Sequence, residues 1–258
     1  AGFNAIASGG QSTAVGFNSK STGFASNAIG NSSLAKGDHS TAIGSSSVAE
    51  GDYSIALGQE STTAAGKNFA TALGYQSKAS GWSSFAQGSY ATADGYKSIS
   101  IGDSSSAATK DSVAIGSDAK TKAVNAIAIG NSAQATGEQS ISVGKGNIVS
   151  GKNSAAIGNP SNISGNNSYS LGNNNTIATD NTFVVGSGVT VNTAANTING
   201  NVILGNLSAD KAYVQVSNGT ISGKIYNYEG TAAGVVSVGA VGAERQIVNV
   251  APGAITAT

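Results

Sequence analysis

The sequence predicts an all-β fold, a parallel β-solenoid of 14-residue coils, and three observations carry that prediction. The first is a column of glycines at Gly2, Gly16, Gly30, Gly44 and Gly58, resuming at Gly74 and running through Gly88, Gly102, Gly116, Gly130, Gly144, Gly158, Gly172 and Gly186. Every interval is 14 residues except Gly58 to Gly74, which is 16. A short fixed period marks an architecture of stacked, near-identical units. The second observation is a period-two alternation before each glycine, which means strand rather than helix. The third is composition. With 36 glycines, two prolines, 6% aromatic and 10% charged residues in 258, the chain cannot build a thick core of large side chains. It suits a thin core between stacked backbone ladders.

The first half of each coil is the better-marked strand, with Ser112-Val113-Ala114-Ile115-Gly116 as its type. One residue before the glycine stand Val15, Ile29, Ile43, Leu57, Ile101, Ile115, Ile129 and Ile157, and three before it Phe85, Ile99, Val113, Ile127 and Ile141. Between them lie small residues such as Ala28, Ala42, Ala86, Ala114 and Ala128. One face of this strand is large and apolar; the other is small.

The second half alternates small residues with variable polar ones, as in Ser47, Ala49 and Glu50 before Gly51. It predicts a second strand with a small face and a wet face. Glycines at the strand ends suit turns that need positive φ or close backbone approach. Because the second strand has only its small face to bury, the alanines of the first strand must meet it inside the coil. The Val113, Ile115, Ile127 and Ile129 row then points outward, a stripe too apolar for a soluble monomer to leave bare. Self-association about a symmetry axis covers it. Phe85 and Gln87 belong to the same stripe, and Gln87 is the one polar residue directly before a glycine of the column.

Two residues are inserted between Gly58 and Gly74, one expected before Gly66 and one before Gly74, each bulging a turn without shifting register. Residues 1–186 form the repeat region. Residues 187–230 predict an irregular β insertion or cap, with strands at Val189–Val191, Val202–Leu204 and Tyr213–Val216. Residues 231–258 contain Gly242-Ala243-Glu244-Arg245-Gln246-Ile247-Val248-Asn249-Val250-Ala251.

The S-V-A-I-G strand, the following G-x-x-S-x-A-x-G half and this last stretch together resemble the YadA-like trimeric autotransporter adhesins of Gram-negative bacteria. The resemblance implies a homotrimer of left-handed parallel β-rolls and a neck carrying Glu244, Arg245, Gln246 and Asn249. It also implies a coiled-coil stalk and an outer-membrane anchor beyond this stretch, cell-surface localisation, and adhesion to host extracellular-matrix proteins, host cells or other surfaces. Pro252 stands where the family's neck has a small residue.

The remaining chemistry is sparse. Thirteen acids balance thirteen bases, scattered singly, so no field favours nucleic acid. Absence of cysteine and a single histidine exclude thiolate and polyhistidine metal sites, and no cofactor, metal or catalytic group is expected. His39 is an exposed turn residue in the slot of Asp111, Asn125 and Asn153. Trp82 and Tyr96 share one slot in successive coils and should stack about 5 Å apart; Tyr75 and Tyr90 lie on neighbouring turns. Exposed aromatics on rigid turns suit partner contacts, although stacking alone also accounts for them. A polysaccharide-processing solenoid enzyme would need a charged cleft, and an ice-binding solenoid a regular Thr or Ser ladder; the variable positions show neither.

Overall fold

The computed structural model describes residues 2–192, 199–228 and 230–251, and among them the chain forms strands and turns with no helix. Two parallel sheets run the length of the roll. A wide sheet stacks fifteen strands, each three residues long from Thr13–Val15 to Val202–Leu204, and ends with Val236–Ser237. A narrow sheet stacks fourteen two-residue strands, from Ile6–Ala7 to Thr190–Val191. Each coil contributes one strand to each sheet. Register is uniform: Val113 pairs with Ile127, Ala114 with Ala128 and Ile115 with Ile129.

The turns explain the sequence period. Many have the form G-x-x-S, as at Gly16–Ser19 and Gly37–Ser40, and outside the Pro160 turn the third residue stands at positive φ, as a type II turn requires. His39, Asp111, Asn125 and Asn153 occupy this position with φ of 54–58°. The slot shared by these four residues is therefore a turn corner. The serine closes the turn twice: the Ser19 amide and hydroxyl both donate to the Gly16 carbonyl, at 3.4 and 3.0 Å. From Gly16 to Gly172 the column glycines of the wide-sheet edge have φ between +120° and +139°, with Gly146 and Gly66 standing outside the column. Only glycine adopts that backbone readily.

The inward faces hold the core. Ala28, Ala42, Ala56, Ala72, Ala86, Ala114 and Ala128 of the wide sheet meet Ala35, Ala49, Ala79, Ala93, Ala107 and Ala135 of the narrow one, all fully buried. Toward the C-terminal end the core thickens: Val149, Ile163, Ile177 and Val191 replace the narrow-sheet alanines, and Val184 and Ile203 join from the wide sheet. Outward, ion pairs such as Lys36–Glu50 at 3.5 Å lie on solvated surface, where such pairs contribute little.

Two expectations about local structure change. Both inserted residues of the long interval fall in one turn. The backbone of Lys67 stands over Gly51 where other coils place their own second glycine, so the extra pair is Ala65-Gly66, ahead of Lys67. Register is kept, with Lys78 opposite Thr62 and Thr71 opposite Ile55. The period also outlasts its glycine spacing. Thr190–Val191 and Val202–Leu204 extend both sheets beyond residue 186. Tyr213–Val216 forms no strand; the chain instead makes an antiparallel hairpin, Asn218–Ile221 with Lys224–Asn227, turning at Ser222-Gly223.

Candidate functional site

Three features of the surface could carry function: the outer face of the wide sheet, the turn edges, and the C-terminal end. On the wide-sheet face, Val113, Ile115, Ile127 and Phe85 are half-buried and Ile129 is exposed, all pointing away from the alanine core. The row continues through Ile157, Tyr169, Leu171 and Phe183, which are 44–51% exposed. Gln87 lies in this row, exposed, paired in register between Leu73 and Ile101. Its strand does not bulge, so Gln87 shares the face of its apolar neighbours. A continuous bare strip of this kind is characteristic of a surface that is covered in the working assembly.

The edge that follows the narrow sheet carries an unbroken aromatic ladder. Trp82 and Tyr96 stack with centroids 5.3 Å apart and planes within 8°. The ladder is longer than these two rings. It begins at Phe24, continues through His39, Tyr53 and Phe69, and reaches Trp82, with centroid steps of 5.6, 4.9, 5.3 and 5.6 Å. Lys97 closes it, its ammonium 5.2 Å from the Tyr96 ring centre. The His39–Tyr53, Tyr53–Phe69 and Trp82–Tyr96 contacts are parallel, so those rings turn edges rather than faces outward; the other two contacts are T-shaped. Tyr75 and Tyr90 lie on the opposite edge, in T-shaped contact at 5.3 Å. The Tyr90 hydrogen bond and charge raise the Tyr75 phenol above its ordinary range. The four predicted aromatic residues therefore divide between two edges.

Side chains along the same turns complete the backbone. The Asp38 carboxylate accepts the Phe24 amide at 2.8 Å, and the Asp52 carboxylate accepts the Asp38 amide at 3.0 Å. In later coils Asn166 and Asp180 do the same for Lys152 and Asn166, at 2.9 and 2.7 Å. These acids and amides, whole coils apart, serve turn amides rather than converging on a shared centre. Among the described residues no cluster of three metal-ligating side chains occurs.

At the C-terminal end, Arg245 donates to the Val238 carbonyl at 2.9 Å, the Asn206 carbonyl at 2.8 Å and the Ser208 hydroxyl at 3.1 Å. Glu244 accepts the Gly242 amide at 2.9 Å. That bond, with its own amide, holds the Glu244 carboxyl below the usual carboxylate range. Gln246 and Asn249 are exposed, Asn249 at φ 59°. Pro252 lies outside the described residues. Both side chains thus bond within their own protomer.

With the coil geometry in place, the family comparison is direct. The model described as YadA head domain repeat (2 copies) matches residues 1–19, 21–47, 35–61, 65–91, 83–105, 93–119, 122–147 and 135–161, together more than half of the chain. The chain belongs to this family. Among solved structures, the collagen-binding domain of the Yersinia adhesin YadA matches this head chain at 29% identity, over 55% of it and 72% of that domain, with a TM-score of 0.42. No curated protein matches.

Fixed-slot reading of the YadA repeats missed Phe24, His39, Tyr53 and Phe69 as ladder members. Each turn has two outward slots: Phe24, Trp82 and Tyr96 use the first, His39, Tyr53 and Phe69 the second. Rings in adjacent slots still meet. Searching both slots together would have found the ladder.

Proposed function

We propose that this chain is the binding head of a homotrimeric, non-enzymatic adhesin displayed on the outer membrane of a Gram-negative cell, attaching to host extracellular-matrix proteins, host cells or other surfaces. The match of its coils to the YadA head repeat carries this reading. The uncovered apolar face supports the trimer: three copies meeting about an axis remove the Val113, Ile115, Ile127 and Ile129 row from water. The ladder through Trp82 and Tyr96, with Tyr75 and Tyr90 on the other edge, supplies exposed aromatic contacts in three copies. Many weak contacts then add through multivalency rather than through one pocket.

The test uses the whole chain in two steps. Sedimentation at micromolar concentration should give a trimer, lost in Ile115→Asp and kept in Lys120→Asp, because only the first buries an unpaired charge three times over. Retention on immobilised collagen, fibronectin and laminin is then compared with that of Tyr53→Asn/Trp82→Asn/Tyr96→Asn. Asparagine already occupies those turn slots at Asn125, Asn68 and Asn166, so this variant keeps the coil while removing ring surface. Retention on at least one matrix protein, reduced tenfold or more in the variant, is the expected result. A stable monomer would refute the face assignment, and binding indifferent to the rings would refute the ladder's part.

A further inference from the structure

Val202–Leu204 belongs to the last full coil of the roll; Val236–Ser237 adds one further strand to its wide sheet, but among the described residues no complete coil follows. Through the rest of the molecule the partners of each coil's carbonyls are regular. Outside the coil where Pro160 stands opposite Lys145, the residue after a column glycine offers its carbonyl to an amide of the next coil: Ser32 donates to Phe17 at 2.8 Å, Ser132 to Ser117 at 2.8 Å, and Leu207 to Ser187 at 2.8 Å. The residue before each column glycine accepts the next glycine's amide, as Ile101 does from Gly116 at 2.7 Å and Val185 from Gly205 at 2.7 Å. Asn206 and Leu204 hold these two positions in the last coil.

Both are satisfied without a coil. The Leu204 carbonyl accepts the Ser208 hydroxyl at 2.7 Å. The Asn206 carbonyl accepts Arg245 Nη2 at 2.8 Å, from 39 residues downstream. The guanidinium also occupies the next peptide's place. A Cβ built on Gly186 would lie 2.4 Å from the Gly205 carbonyl oxygen, as those on earlier column glycines lie over their successors. A Cβ built on Gly205 would instead lie 2.9 Å from Arg245 Cζ. A planar group with N–H donors thus sits over Gly205 where a planar peptide would sit. Its other nitrogen, Nη1, holds the Val238 carbonyl at 2.9 Å just after Val236–Ser237 has paired with Val202 and Ile203. The departing chain is pinned at the point where it leaves the sheet.

We propose that the C-terminal end of the roll is a surface shaped to receive a β-coil and that Arg245 is its resident occupant. Its guanidinium supplies the donor and the flat surface of a missing coil, and the Val238 bond fixes where the chain turns away. Lysine offers a point charge without the planar fork, so it restores part of this arrangement at most.

Hydrogen exchange of the Gly205 and Leu207 amides tests the proposal, since both bonds fray if the end is left open. In Arg245→Ala these amides should exchange at least tenfold faster than in the parent, while those of Gly116 and Gly130 are unchanged. Arg245→Lys should fall between, and it keeps the measurement possible if the alanine variant folds poorly. Unchanged exchange at Gly205 and Leu207 in either variant overturns the cap. So does dissociation of the assembly with those two amides still protected, because the guanidinium would then act between chains.

Discussion

Gly116 shows how tightly a single residue is held. Its φ is +126°, and a Cβ there would approach the Gly130 carbonyl oxygen to 2.6 Å. That oxygen belongs to a ladder backbone and cannot give way alone. Gly66, at φ +65° with nothing within 4 Å of a built Cβ, pays only for the left-handed conformation, about 1–2 kcal/mol. Gly116→Ala should therefore lower the thermal midpoint clearly more than Gly66→Ala, as read by circular dichroism on heating. Equal shifts would mean that contact between stacked coils does not limit this column. The column itself was plain in the sequence, because only glycine serves at every such corner. The role of Lys67 was not, since a lysine backbone fills that second-turn slot and nothing in its side chain announces it.

Among the elements, the wide sheet was the most legible. Alternation of small and large residues fixes which face of a strand is buried, so Ala114 and Ile115 could be assigned opposite directions and are found so. Gln87 poses the question at this scale. It stands in register among apolar neighbours, and on the trimer reading three amides meet near the axis. Paired with one another or through a bound water or ion, they avoid the roughly 1–3 kcal/mol cost of an unpartnered buried amide. Gln87→Leu removes both sides of each bond together, and the trimer should be as stable or more so in thermal melts. A marked loss of stability would place Gln87 in an irreplaceable contact. Tyr213–Val216 was illegible for the opposite reason: its composition suits a strand, but a strand forms only against a partner ladder, and local pattern does not say whether one is present. The bonds of Arg245 to Asn206 and Ser208 were illegible for a related reason, because those partners lie far away in sequence.

At the scale of the whole molecule, each coil touches only its neighbours, so stability is nearly a sum of coil and interface contributions. Those contributions are unequal. Ala35 and Ala42 face one another early in the roll, whereas Val149, Ile163, Ile177 and Ile203 form the core near its end. Each buried methylene adds about 0.8 kcal/mol, so the later interfaces are the stronger ones. Amide exchange should slow progressively from the coils around Gly30 to those around Gly172; a flat profile would mean that unfolding is all-or-none. The same asymmetry sets how the roll behaves under load. Pulled from its amino-terminal end, the chain unzips one ladder at a time rather than shearing many at once. Each released coil pays out 14 residues, roughly 45–50 Å of extended chain. The alanine-cored coils give way first and the isoleucine-cored ones last, so the chain lengthens in steps and each further step needs more force toward the C-terminal end.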